Sequence, residues 1–368
     1  MADVHGPAAL GELIATVPAM LGFRPANSLV LVVVGNDGGS AAVARLDVEL
    51  LDTPVGELGA DLAARLHRDL GRAELAVLLI VGDAPDAQPP HRGKVDGLVA
   101  ALARNTIDVL DVVWVPMIGS GVRWESLLAA TEPAGGVQPD WTSTPAAVSA
   151  IANGHRIFAS RTDIDQLLQP VDAHILARRQ AALREWETAS AKAGMTSAAA
   201  LHVVWAAVDR ATRHLLPAGD DEFRALGWAL AFTEVQVVMA LPPADREQRH
   251  APVTLWATLA RNLPGPYRAY AACLFAVHSY LLDQRVVART AIDHAHTSAP
   301  GHPMVRLFGE LIDADAPPGE VIDQLGNEVT AAVLARIRAH GDGDAALPVI
   351  RRDGHGRCLG LEPLHLEH

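Results

Sequence analysis

Apolar residues at Leu10, Leu13, Ile14, Val17 and Leu21 recur at the spacing of one helix face, and Pro18 inside that pattern should end or kink the helix. Residues 28–34 are an unbroken aliphatic run bounded by Asn27 and by Gly35-Asn36-Asp37-Gly38-Gly39. Residues 41–50 return with alternation at Val43, Leu46 and Val48, which predicts an antiparallel hairpin. Helical spacing over 54–70 and 93–105 separates two further strands, at 75–81 and 109–117. Strands spaced by helices of that length predict βαβ units and a partly parallel sheet. Gly119-Ser120-Gly121 then turns the chain into 122–127, and the Pro-, Gly-, Ser- and Thr-rich stretch 131–145 reads as an excursion or linker.

From about residue 171 the period changes. Helical spacing runs through 175–193, 198–216, 223–241 and 253–263, broken by Gly194, Pro217-Ala218-Gly219, Pro242-Pro243 and Pro264-Gly265-Pro266. Asp220-Asp221-Glu222 suits the first turn of a helix, where acids complement unpaired N–H groups. Residues 272–300 match one tetratricopeptide unit in part: Phe275, Ala276, Ala288, Ile292, Ala295 and Pro300 fit, whereas Ala272 and Ser279 stand where aromatics are usual. An ordinary helical hairpin explains the same residues. The pattern therefore predicts an α/β domain over 1–170, with a mixed sheet built from a hairpin plus βαβ units. An all-α region over 171–345, in part tetratricopeptide-like, and a tail over 346–368 follow it.

Composition narrows the function classes. A chain of 368 residues suggests about two domains. The net charge of −13, with no Lys/Arg block, repels phosphate backbones and anionic lipid, so no nucleic acid and no membrane partner is expected. Cys273 and Cys358 are too few for a disulfide framework or a zinc site. The N-terminus lacks the features of a secretory signal, and the apolar stretch 225–241 is too short to span a bilayer and holds Thr233 and Glu234. A cytoplasmic location is expected, and Leu366-Glu367-His368 resemble the start of a vector-derived histidine tag.

The motif Leu21-Gly22-Phe23-Arg24-Pro25-Ala26-Asn27-Ser28-Leu29-Val30, preceded by Val17-Pro18, resembles the N-terminal hallmark of an actinobacterial family, the domain-of-unknown-function 4192 family. Gly154 with Ser160-Arg161 before a helix, and a helix over 288–295 ending at Ala299-Pro300-Gly301-His302, extend the likeness over most of the chain. The resemblance supports the architecture and implies no activity. Relatives often carry cysteines near the position of Trp124-Glu125-Ser126-Leu127-Leu128; this chain has none there, so no metal role carries over.

Several groups are candidates for chemistry. In Phe23–Ser28 a turn accounts for Pro25, Asn27 and Ser28, but a turn does not require the guanidinium of Arg24, which could grip a carboxylate or phosphate. Arg24, Asn27, Ser28, Asp83 and Arg161 are the candidate binding residues. The Gly-rich segments 35–40 and 119–121 lack a Walker Lys and the GxGxxG-to-helix order, and read as hairpin turns. Asp47, Glu49, Asp83, Asp86 and Asp111 fall at or near strand ends, where a metal-dependent hydrolase would place a two-metal site. His294 and His296 sit two apart on a helix and face different ways, and HExxH and GxSxG are absent. No catalytic residue, metal or cofactor is assigned. The leading expectation is a ligand-binding or protein-interaction module, with a partner or second copy engaged through the helical region; the alternative is a divalent-metal-dependent hydrolase or phosphoryl-handling enzyme using strand-end acids.

Overall fold

The computed structural model describes residues 7–34, 41–70, 75–82, 92–128, 135–152, 154–193, 196–314, 316–340 and 347–363. The chain divides into two compact units, Met1–Arg161 and Thr162–His368.

The first unit opens with α1 (Pro7–Leu21), β1 (Ser28–Val34), β2 (Ala41–Asp47), α2 (Val55–Leu70) and β3 (Leu75–Val81). It continues with α3 (Arg92–Arg104), β4 (Asp108–Val115), β5 (Arg123–Ser126), β6 (Gly135–Val137) and α4 (Pro145–Ala152), and α5 (Arg161–Gln166) begins at its last residue. The strands form one mixed sheet in the order β2-β1-β3-β4-β5-β6. β1 is antiparallel to both β2 and β3, and β3 is parallel to β4 across the α3 crossover. β3 reads LAVLLIV and is buried from its second residue on, which requires cover on both faces. Leu29, Leu31, Ala76, Leu78 and Ile80 pack with Leu62 and Leu66 of α2 and Leu98 and Leu102 of α3. Val30, Val32, Val77 and Leu79 are equally buried but outside that cluster, and α1, which touches both β2 and β6, lies over their face.

Two details of this unit differ from the sequence expectation. α1 runs past Pro18 to Leu21. The missing N–H weakens only its last turn, and burial of Ile14, Val17 and Leu21 holds that turn in place. The predicted excursion contains the edge strand β6, paired with β5. A β-carbon on Gly136 would lie 2.9 Å from the Trp124 ring, so the strand needs the glycine that made its sequence look like a loop.

The second unit is largely helical: α6 (Ala173–Ala193), α7 (Ser197–Thr212), α8 (Asp220–Leu230), α9 (Thr233–Met239), α10 (His250–Asn262), α11 (Tyr267–Leu281), α12 (Arg285–Ser298), α13 (Pro303–Asp313), α14 (Pro318–Gln324) and α15 (Ala331–His340). A π-helical segment, Leu325–Thr330, joins the last two. α11 is buried at nearly every position and contacts α10, α12 and α13. Arg179, 7% exposed, is held by several partners. Its Nε donates to Asp220 Oδ1 at 2.8 Å, its Nη1 to the Asn262 carbonyl and Oδ1 at 2.8 Å each, and its guanidinium lies 4.0 Å from the Phe223 ring.

Here too the structure corrects the sequence. The single helix expected over 223–241 is two, because Phe232 takes an extended backbone, and Gln236 Nε2 donates to the buried Leu230 carbonyl at 2.7 Å. The segment after 346, expected as a tail, folds as an antiparallel hairpin of β7 (Val349–Arg352) and β8 (Cys358–Glu362). Residues 366–368 lie outside the described residues.

Candidate functional site

The register of the sheet places Asp47, Ser28, Val81 and Val115 in one row across β2, β1, β3 and β4. The Phe23–Ser28 loop therefore sits at the carboxyl end of the parallel pair β3/β4, where open α/β sheets usually hold ligands. Its polar groups are engaged in structure. Ser28 is fully buried; its Oγ donates to the Ala26 carbonyl at 2.7 Å and accepts from Arg45 Nε at 2.9 Å, while Arg45 also pairs with Asp47. Asn27 takes a left-handed φ of 46°, and its Oδ1 lies 3.1 Å from where a β-carbon on Gly82 would stand. That close approach explains both the Asn, which tolerates this backbone, and the facing glycine.

Arg24 has a partner the sequence did not reveal. Its backbone N–H donates to the Phe158 carbonyl at 3.0 Å, Phe158 N–H donates to the Gly22 carbonyl at 2.8 Å, and its guanidinium stands 6.0 Å from the centre of the Trp141 ring. Arg161 opens α5 three residues beyond that bridge, half-buried. The same segment carries Arg156 over the Phe158 ring at 4.9 Å. Asp83 and Asp86 lie outside the described residues, as does the Gly-rich segment 35–40. Gly119 N–H is taken up by Gln138 Oε1 at 3.1 Å, so this Gly turn is braced rather than open to an anion.

The described strand acids are far apart. Asp111 pairs with the level of Val77 and accepts from Ser126 Oγ and from Val112 N–H, each at 2.7 Å. Asp47 lies three strands away, roughly 14 Å, and four residues further along. A two-metal site needs its ions about 4 Å apart. Among the described residues no group of three His, Cys, Asp or Glu side chains could hold a metal ion.

A second location was not anticipated. In the helical unit an open groove of about 600 Å³ lies between α7, the turn after Leu241 and the β7–β8 hairpin. α7 contributes His202, Trp205, Ala206, Asp209 and Thr212, which fall on one stripe of the helix. The adjoining stripe, with Leu201, Val204 and Ala211, supplies the core, and buried Val208 borders both core and groove. Pro243, Ala244, Asp245 and Gln248 form the floor, and Arg351, Leu361 and Glu362 the far wall. That wall is held by main chain: Ala244 N–H donates to the Leu361 carbonyl and Leu361 N–H to the Pro242 carbonyl, both at 2.8 Å. Arg249 donates to the carbonyls of Leu359 at 2.8 Å and Pro243 at 3.2 Å, and Cys358 N–H donates to Asp323 Oδ1 at 2.6 Å. The groove therefore has a fixed backbone, and its acids have local partners: Asp209 pairs with Arg213, Glu362 lies 3.6 Å from Arg351, and Asp245 Oδ1 accepts from Glu247 N–H at 3.0 Å.

Fold and groove together define an α/β unit joined to a helical unit that carries an open groove of mixed polar and apolar lining. The chain belongs to the family described as domain of unknown function (DUF4192), whose model matches residues 11–319. The hairpin wall of the groove lies beyond the matched residues. No curated protein and no solved structure matches the chain. No helix among the described residues is long and apolar enough to cross a membrane.

Proposed function

We propose that this protein is a ligand-binding or protein-interaction module and that the α7–hairpin groove of the helical unit is where it binds. The observation that carries the reading is Trp205. It is half-buried at the margin of the core face of α7, and it lines a cleft of the size that holds small ligands. An aromatic ring in such a cleft offers a large contact area without needing to be ordered first. The turn after α7 exposes Leu215 and Leu216, so the helical unit also offers apolar contacts to a partner polypeptide or a second copy. We place the protein in the cytoplasm, a reading supported by two buried cysteines that are free thiols.

A thermal-shift screen of the full chain tests the proposal, using amino acids, polyamines, nucleotides and dicarboxylates with the wild type and Trp205→Ala. A ligand at a hundred times its Kd adds about 2.7 kcal/mol to the native state. We expect at least one class to raise the wild-type midpoint and to leave Trp205→Ala unmoved. Shifts of equal size in both proteins would remove the groove from the account.

A further inference from the structure

We infer that the groove accepts an N–H-bearing organic cation, a guanidinium group above all, an assignment that rests on the groove being the binding site. The lining holds three carboxylates, Asp209, Asp245 and Glu362, against one guanidinium, Arg351. Trp205 stands one helical turn before Asp209 on the same stripe, so an aromatic face and a carboxylate lie side by side. Glu362 closes the opposite wall. A planar cation can stack on the ring and donate to carboxylates on both sides, the arrangement in which guanidinium outcompetes ammonium.

The present partners of these acids do not obstruct this. Asp209 pairs with Arg213, and both side chains are about 60% exposed. Glu362 lies 3.6 Å from Arg351, itself 56% exposed. Pairs this exposed contribute little, so an incoming cation exchanges one weak partner for itself at small cost. An anion would meet three carboxylates, Asp209, Asp245 and Glu362, against two guanidiniums, Arg351 and Arg213. A neutral ligand would gain the ring and leave the acids unused.

The test is calorimetric titration of the full chain with L-arginine amide, with L-citrulline amide as its neutral isostere and succinate as the anion. Hydrogen exchange locates each ligand. We expect arginine amide to bind about tenfold more tightly than citrulline amide, a preference that weakens with salt and falls below about threefold in Asp209→Asn/Glu362→Gln. The Asp209 side chain is exposed and that of Glu362 part-exposed, and an unchanged melting temperature confirms that the double variant is folded. Equal affinity for the two amides, or a preference untouched by the double substitution, overturns the inference. Citrulline amide or succinate protecting α7 and the hairpin without any cation preference would retain the groove and reject the ligand class. No protection from any of the three would reject the binding reading as well. Tighter binding of Gly-Gly-Arg-Gly-Gly than of arginine amide would assign the cation to a polypeptide, and equal binding to a free small molecule.

Discussion

Ser28 and Glu362 both lie beside main-chain junctions, one at the end of the sheet and the other on the groove wall. Their surroundings differ. Ser28 is fully buried, with an acceptor at 2.7 Å and a donor at 2.9 Å, whereas Glu362 has only an arginine at 3.6 Å that is itself half in solvent. The same contrast holds between Asn27, pressed against Gly82, and Trp205, which is only half-buried and lines the groove. Polar groups at the sheet end are buried in the fold, whereas the groove's Asp209 and Glu362 have partners, Arg213 and Arg351, that are more than half exposed. A cleft whose charged groups have exposed, exchangeable partners can bind; a motif whose polar groups are buried against one another holds the fold, however distinctive its sequence.

The largest expected effect separates the two units by acid. Burial pushes His278 of α11 down to about 4 from 6.5, while its Nε2–H donates to the Met239 carbonyl at 2.8 Å. Between those values the unfolded chain binds a proton that the folded chain refuses. This contribution is whole above pH 6.5 and is lost as pH falls toward 4, on the order of 3 kcal/mol. Differential scanning calorimetry from pH 7 to 4 should show the helical unit melting earlier, and His278→Gln should flatten that slope. A slope unchanged in the variant would remove His278 as its source.

Next in size, Ser28→Leu should cost about 2–3 kcal/mol, because it removes the acceptor of Arg45 Nε and overfills a closed site. Urea unfolding reads the loss, and affinity at the groove should stay within about twofold. Asn27 gives a sharper version. Asn27→Val should cost about 1–2 kcal/mol for its left-handed backbone, and Asn27→Gly should cost almost nothing. If Asn27→Gly kept stability and abolished ligand binding, the sheet end would be the site and the comparison would reverse. The smallest effect is Arg24→Met, at about 0.5–1 kcal/mol, the worth of an exposed guanidinium–ring contact.

What the sequence disclosed follows the range of the interactions involved. β1 and β3 were legible because aliphatic runs between turn residues have few other destinations. The break at Phe232 was not, since an apolar residue keeps the helical period while its backbone leaves the helix. β6 was hidden by Gly135 and Gly136, chosen for the approach of Trp124 rather than for strand propensity. The β7–β8 hairpin carried a signal that was passed over: Asp353 accepts from the N–H groups of His355 and Arg357 at 2.9 Å each, and Asp-Gly-His-Gly is a turn sequence. Arg24 stood out as exceeding what a turn needs, but its explanation, Trp141, is more than a hundred residues away. The groove had no local signature at all. Its walls come from three segments spread between His202 and Pro363, so only the folded chain assembles it.

The most direct measurement is hydrogen exchange on the full chain with and without saturating L-arginine amide. We predict slowed exchange in α7, in 242–248 and in β8, with Phe23–Ser28 and Gly82 unchanged. Protection at Phe23–Ser28 and Gly82, with none in α7 or the hairpin, would contradict the account.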